Sequence, residues 1–109
     1  MSRSEDHATA AIAACPSAGV ALDIGSGRGA LVIYPSDRYR GREIEISRAA
    51  EHGRRVHTGV HDRRTQAGAV LTAIFGSLEA GDYVVWADGG DGPSGVTVAD
   101  GVITEIHLT

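Results

Sequence analysis

Fifteen glycines divide this chain into short apolar runs, and they stand almost entirely between those runs rather than inside them. Glycine weakens a helix interior and supplies the positive φ that tight turns need, so punctuation at this density selects a many-turned β protein. From about Gly19 onward the runs are Val20–Ile24, Ala30–Tyr34, Glu43–Ser47, Arg54–Arg64, Ala67–Phe75, Asp82–Ala87, Gly95–Ala99 and Val102–Leu108. They predict seven or eight strands. Glu43-Ile44-Glu45-Ile46-Ser47 alternates polar and apolar with period 2, the pattern of a strand with one wet face, and Val102, Thr104, Ile106 and Leu108 repeat it. Ala67–Phe75 also satisfies a helical stripe, but its β-branched Val70, Thr72 and Ile74 share one parity and favour a strand. Asp100-Gly101 between two β-branched runs predicts a tight hairpin that pairs the last two strands.

A length of 109 residues suits one domain, with 42% hydrophobic residues available for a core. Only one Phe, one Trp and three Tyr supply aromatic bulk, so that core must be built from Val, Ile, Leu and Ala. Short strands at this spacing predict an all-β fold, an antiparallel sandwich or small barrel of seven or eight strands, spanning residues 19–109. Residues 1–18 lack sustained periodicity and read as a flexible N-terminal tail.

The formal net charge of −4 argues against nucleic-acid binding through bulk charge. The charge is segregated: two Arg against four acids in residues 1–37, eight Arg against four acids in 38–64, and six acids with no base in 76–109. Antiparallel strands are expected to interleave these segments. A single cysteine, Cys15, cannot form an internal disulfide, which makes the cytoplasm the expected compartment. Ile12-Ala13-Ala14-Cys15 has the shape of a lipobox, but the acidic, weakly apolar stretch before it argues against lipidation. No run is long enough to span a membrane as a helix.

Leu22-Asp23-Ile24-Gly25-Ser26-Gly27-Arg28-Gly29 looks like the glycine-rich motif of S-adenosylmethionine-dependent methyltransferases. That motif needs a helix after its loop, whereas Ala30–Tyr34 is β-rich and ends at Pro35, so a glycine-rich turn before a strand is expected instead. Leu78-Glu79-Ala80-Gly81-Asp82-Tyr83-Val84-Val85-Trp86, followed by Val96-Thr97-Val98 and Asp100–Ile106, resembles the closing strands of prealbumin-like and carboxypeptidase-regulatory-like β-sandwich domains. With Leu22–Gly25, Gly29–Val32 and Gly41–Ser47 added, residues 20–108 are similar to a group of short actinobacterial β-sandwich proteins, some of which carry a phospholipase label. The resemblance implies an antiparallel β-sandwich of prealbumin-like or immunoglobulin-like topology, with a leucine-anchored turn followed by a strand starting at the Ala-Gly step. It implies no catalytic motif here, because Ser26 and Ser94 are expected in turns outside any nucleophile-elbow pattern.

His57 and His61 stand four apart, a metal-binding spacing on a helix. On a strand four residues span about 13 Å, too far for one ion, and Val56, Thr58 and Gly59 favour the strand. Val56, Thr58 and Val60 are then expected to face the core. Arg55, His57, His61 and Arg63 would form a stripe on the wet face, with Gly59 opening a gap in it. Such a stripe could hold a phosphate or carboxylate and would gain charge as the histidines protonate in mild acid; the plainer expectation is a solvated face whose arginines pair with Glu43, Glu45 or Asp62. Trp86, of the same parity as Val84, is expected in the core. Asp88-Gly89-Gly90-Asp91-Gly92 lacks the third oxygen ligand and bidentate acid of a calcium loop. No cofactor and no metal are expected. The function expected is non-catalytic binding: a protein partner or a homodimer joined through an edge strand or strand face.

Overall fold

The computed structural model describes residues 22–87 and 90–109. The tail at residues 1–18 with Cys15, the start of the Val20–Ile24 run, and Asp88-Gly89 of the aspartate-glycine loop lie outside the described residues.

The described residues form eight strands: β1 (Arg28–Pro35), β2 (Glu43–Arg48), β3 (Arg55–Gly59), β4 (His61–Thr65), β5 (Gly68–Glu79), β6 (Gly81–Ala87), β7 (Gly90–Val98) and β8 (Ile103–Leu108). The one helical element among the described residues is a 3-10 turn, Asp37–Tyr39, so no helix there is long and apolar enough to cross a membrane. The strands make two four-stranded sheets, ordered β4-β5-β1-β8 and β3-β2-β6-β7, packed as a β-sandwich. The all-β sandwich is as expected, although the first sheet is mixed because β1 and β8 run parallel.

Alternation decides which side chains meet between the sheets. Ile44 and Ile46 of β2 are fully buried, facing Leu31 and Ile33 of β1 and Leu71, Ala73 and Phe75 of β5; Tyr83, Val85, Val96 and Val98 complete the aliphatic layer. Full burial of one such side chain stabilises by roughly 1.5–3 kcal/mol, so this layer dominates the fold's free energy. Ala30–Ile33 and Leu71–Phe75, on the central strands β1 and β5 of their sheet, are buried at every position.

Hairpins β2–β3, β4–β5 and β6–β7 stay within a sheet, and the chain crosses to the other sheet between them. Arg54–Arg64, expected as one strand, is β3 and β4 bent through a corner at Val60. Val60 N–H donates to the Arg42 carbonyl (2.9 Å) at that corner, and its side chain is buried. A second corner at Ala80 joins β5 to β6. There Leu78 is buried and Gly81 takes φ +153°, with the Arg48 guanidinium packed where a side chain would stand. A side chain at 81 would be strained and crowded.

The final hairpin does not form. Asp100-Gly101 does make a turn, closed by Val102 N–H donating to the Ala99 carbonyl (3.1 Å), but φ is positive at Gly101 alone. A turn of that kind splays its strands, whereas a type I′ turn keeps them paired. β7 therefore stays beside β6, while β8 crosses to lie parallel to β1. The turn that does have two central positive φ values is Gly25–Arg28, at Ser26 (57°) and Gly27 (89°), closed by hydrogen bonds in both directions. The glycine-rich motif is thus a turn leading into β1. Residues 22–24 before it belong to no strand, and Ser94, expected in a turn, lies in β7 opposite Val84.

Candidate functional site

The four residues of the expected cationic stripe fall in different sheets. Arg55 and His57 lie on β3 of the second sheet, and His61 and Arg63 lie on β4 of the first, with the Val60 corner between them. A corner made by a strand that changes sheets breaks any surface that a continuous strand would have carried. The gap expected at Gly59 is filled: the His61 ring packs there, its Nε2 2.9 Å from where a β-carbon on Gly59 would stand.

Arg55 and His57 also face carboxylates from β2. Arg55 Nη1 donates to Glu45 Oε1 (3.2 Å), and His57 Nδ1 lies 3.5 Å from Glu43 Oε2. Ser47 stands opposite Arg55 and Glu45 opposite His57, so each contact is a diagonal pair across antiparallel strands. These acids neutralise the face locally. Arg63 keeps a buried Nε with no hydrogen-bond partner among the described residues. No group of three His, Cys, Asp or Glu at metal-binding range occurs among the described residues.

Two positions read as core lie elsewhere. Val56 is 48% exposed: it stands opposite Ile46, on the inward side of β3, but at the sheet edge where nothing described covers it. Trp86 is half-buried on the outer face of the second sheet. Its parity partner Val84 shares that face, while Tyr83 and Val85 point into the core. The indole Nε1 donates to Ser47 Oγ (2.9 Å), the His52 ring meets it edge-on at 5.1 Å, and the Arg55 guanidinium lies 4.0 Å above its centroid. Trp86 thus forms a capped outer patch.

The sheet edges are the remaining candidate, and here the corrected topology matters. Each sheet has two edge strands, β4 and β8 in the first and β3 and β7 in the second. Three carry features that oppose pairing. β4 reads His-Asp-Arg-Arg-Thr, β3 carries Arg55 and His57 and ends at Gly59, and β7 contains Pro93 and two irregularities in its register with β6. β8 carries a single carboxylate, Glu105, and has neither proline, glycine nor bulge: Ile103–Leu108 pairs with β1 through six consecutive residues.

The β8 ladder also settles which backbone groups face outward. The Val102 and Leu108 carbonyls accept from Ala30 and Ser36 N–H on β1 (3.0 and 2.7 Å), so even-numbered residues point toward β1. Ile103, Glu105 and His107 therefore direct their N–H and C=O groups away from the sheet. Their side chains line its outer face, where Tyr34 Oη donates to Glu105 Oε2 (2.7 Å) and the Tyr34 and His107 rings lie 5.2 Å apart. Sequence reasoning missed this edge because it paired β8 with β7. The signal was nevertheless present in a regular β-branched run with neither proline nor internal glycine.

These features define an all-β sandwich protein whose β8 edge, among the described residues, lacks proline, glycine and bulges. Compared with known families, curated proteins and solved structures, the chain matches none.

Proposed function

We propose that this chain is a non-catalytic interaction module that adds a strand across β8, with a second copy of itself as the first partner to test. The observation that supports this reading is the contrast among the four edges of the described residues: β4 is densely charged, β3 ends at a glycine and β7 holds a proline and two register irregularities, while β8, with Glu105 as its one carboxylate, carries an unbroken row of outward N–H and C=O groups at 103, 105 and 107. Main-chain pairing would supply the affinity, and the flanking side chains of Ile103, Glu105 and His107 the selectivity.

Sedimentation of the full chain across a concentration series tests the proposal. The wild type is expected to associate, Glu105→Pro to stay monomeric, and Glu105→Gln to associate as the wild type does. Proline removes an outward N–H without touching the bonds to β1, whereas glutamine keeps the backbone donor. Thermal unfolding of each variant checks that the fold persists. A wild type that sediments as a monomer at every concentration, or a folded Glu105→Pro that associates normally, overturns the proposal.

A further inference from the structure

A cleft of about 640 Å³ opens at one end of the sandwich, where the β2–β3 connection stands against the start of β1 and the end of β5. Its volume lies within the roughly 300–1,000 Å³ range of small-molecule sites. Although the chain as a whole is acidic, this cleft is lined by four guanidinium groups, Arg28, Arg48, Arg54 and Arg55, against two carboxylates, Glu51 and Glu79. The local sign of charge is reversed.

The four arginines are not equivalent. Arg48 Nη1 donates to Glu79 Oε1 (3.1 Å), and its guanidinium lies 5.6 Å from the Tyr83 ring centroid. Arg55 is engaged by Glu45 and Trp86. Arg54 stands at the rim, 85% exposed and 3.8 Å from Glu51, a contact too long to hold it. Arg28 differs from all three. Its Nε donates to Ser77 Oγ (2.6 Å) and its Nη2 to the Ser77 carbonyl (3.2 Å), which fix the plane of the guanidinium with neutral partners. Among the described residues no carboxylate pairs with it. Its half-buried guanidinium is oriented and left with Nη1 donors to offer, Glu79 standing opposite it in the β1–β5 register but bonded to Arg48.

Beside the charged and serine groups the lining has one exposed aliphatic side chain, Val56, while Ile46 and Leu78 also line the cleft but are buried. The exposure of Val56, which no packing within the described fold explains, falls at this cleft. Fixed guanidinium donors suit a carboxylate or phosphate oxygen, and the exposed Val56 side chain suits a short hydrocarbon portion attached to it.

We propose that this cleft binds a small organic oxyanion, a carboxylate or phosphate monoester with a short apolar body, anchored by Arg28 and screened at the rim by Arg54. The proposal stands independently of strand addition at β8, which lies in other residues.

Calorimetric titration of the full chain with hexyl phosphate, hexanoate, inorganic phosphate and hexylammonium tests it, with Trp86 fluorescence as a second readout because Arg55 both caps the indole and lines the cleft. Hexyl phosphate or hexanoate is expected to bind more tightly than inorganic phosphate, and hexylammonium not at all. The tighter of the two organic anions identifies the headgroup. Arg28→Gln is expected to weaken binding at least about tenfold, the usual consequence of losing a charge-assisted hydrogen bond. Arg54→Gln, at an exposed position where the fold is not at risk, is expected to weaken binding severalfold and to flatten its salt dependence. Arg40→Gln, outside the cleft, is expected to change nothing. The proposal is overturned if no anion binds up to about 10 mM, if hexylammonium binds as well as hexyl phosphate, or if both Arg28→Gln and Arg54→Gln bind as the wild type does.

Discussion

Gly29 lies directly beneath Ala99: a β-carbon on Gly29 would overlap the Ala99 carbonyl oxygen and stand 2.9 Å from both the Val102 carbonyl oxygen and Val98 Cγ1. This contact seats the turn that carries the chain from β7 across to β8. Around it Asp100 Oδ1 accepts from Gly27 N–H (2.9 Å), and Gly101 N–H donates to the Arg28 carbonyl (2.9 Å). Gly29→Ala is expected to destabilise the fold by about 3 kcal/mol, the upper range for overpacking, because two of the three obstructing atoms are backbone and cannot rotate aside. Urea unfolding measures the loss. A change under about 0.5 kcal/mol would mean that the turn does not sit on β1.

The corner at Val60 makes a paired prediction. Val60 is in the core and Val56 is not, though both have the same parity along the run and the sequence alone treats them alike. Val60→Ala is expected to lower stability by about 2 kcal/mol and Val56→Ala by less than about 0.5. Equal losses in the two variants would indicate one continuous strand instead of a corner.

Trp86 reports on its own cap. Removing the Arg55 guanidinium exposes one face of the indole, so Arg55→Ala is expected to shift tryptophan emission to the red and to lower stability by about 1 kcal/mol. Ser47→Ala leaves the indole N–H without its acceptor and is expected to lower stability by a similar amount, about 1 kcal/mol. As the chain holds a single Trp, the spectrum needs no deconvolution.

Tyr83 sets an alkaline limit on the fold. Burial pushes its phenol above the ordinary tyrosine range, with the Arg48 charge opposing part of the rise. A group whose folded pKa exceeds its unfolded one contributes stability that is intact below the unfolded value, near 10, and is lost as pH climbs through the folded value. Urea midpoints are therefore expected to fall from about pH 10 upward. In Tyr83→Phe that fall should be shallower, against a neutral-pH stability lower by about 1 kcal/mol from the lost hydrogen bond to the Glu79 carbonyl. An alkaline slope unchanged by the substitution would assign the loss to other groups.

Most of the strands were legible because alternation is local. Glu43–Ser47 declares an inward Ile pair and an outward polar row without reference to any other part of the chain, and Val70, Thr72 and Ile74 resolve the helix–strand ambiguity of β5 by branching alone. The candidate stripe was read by the same local rule and came apart at Val60, because a corner can leave the period-2 pattern intact while changing which sheet each residue serves. Trp86 was misplaced for a related reason. Parity correctly joined it to Val84, but the face they share is turned outward, a matter decided by what β2 and β3 lay across it.

Sequence by itself determined that this chain is all-β, roughly how many strands it has, where several of its turns fall, and which residues alternate together, since each of these depends on neighbours a few positions away. Only the tertiary structure decided the partition into two sheets, the parallel β1–β8 pair that leaves β8 as an edge, and the gathering of Arg28, Arg48 and Arg54 around one cleft. The partition turns on the corners at Val60 and Ala80, and the β1–β8 pair goes with the positive φ at Gly101 and the close packing at Gly29, none of which leaves a periodic trace in the sequence.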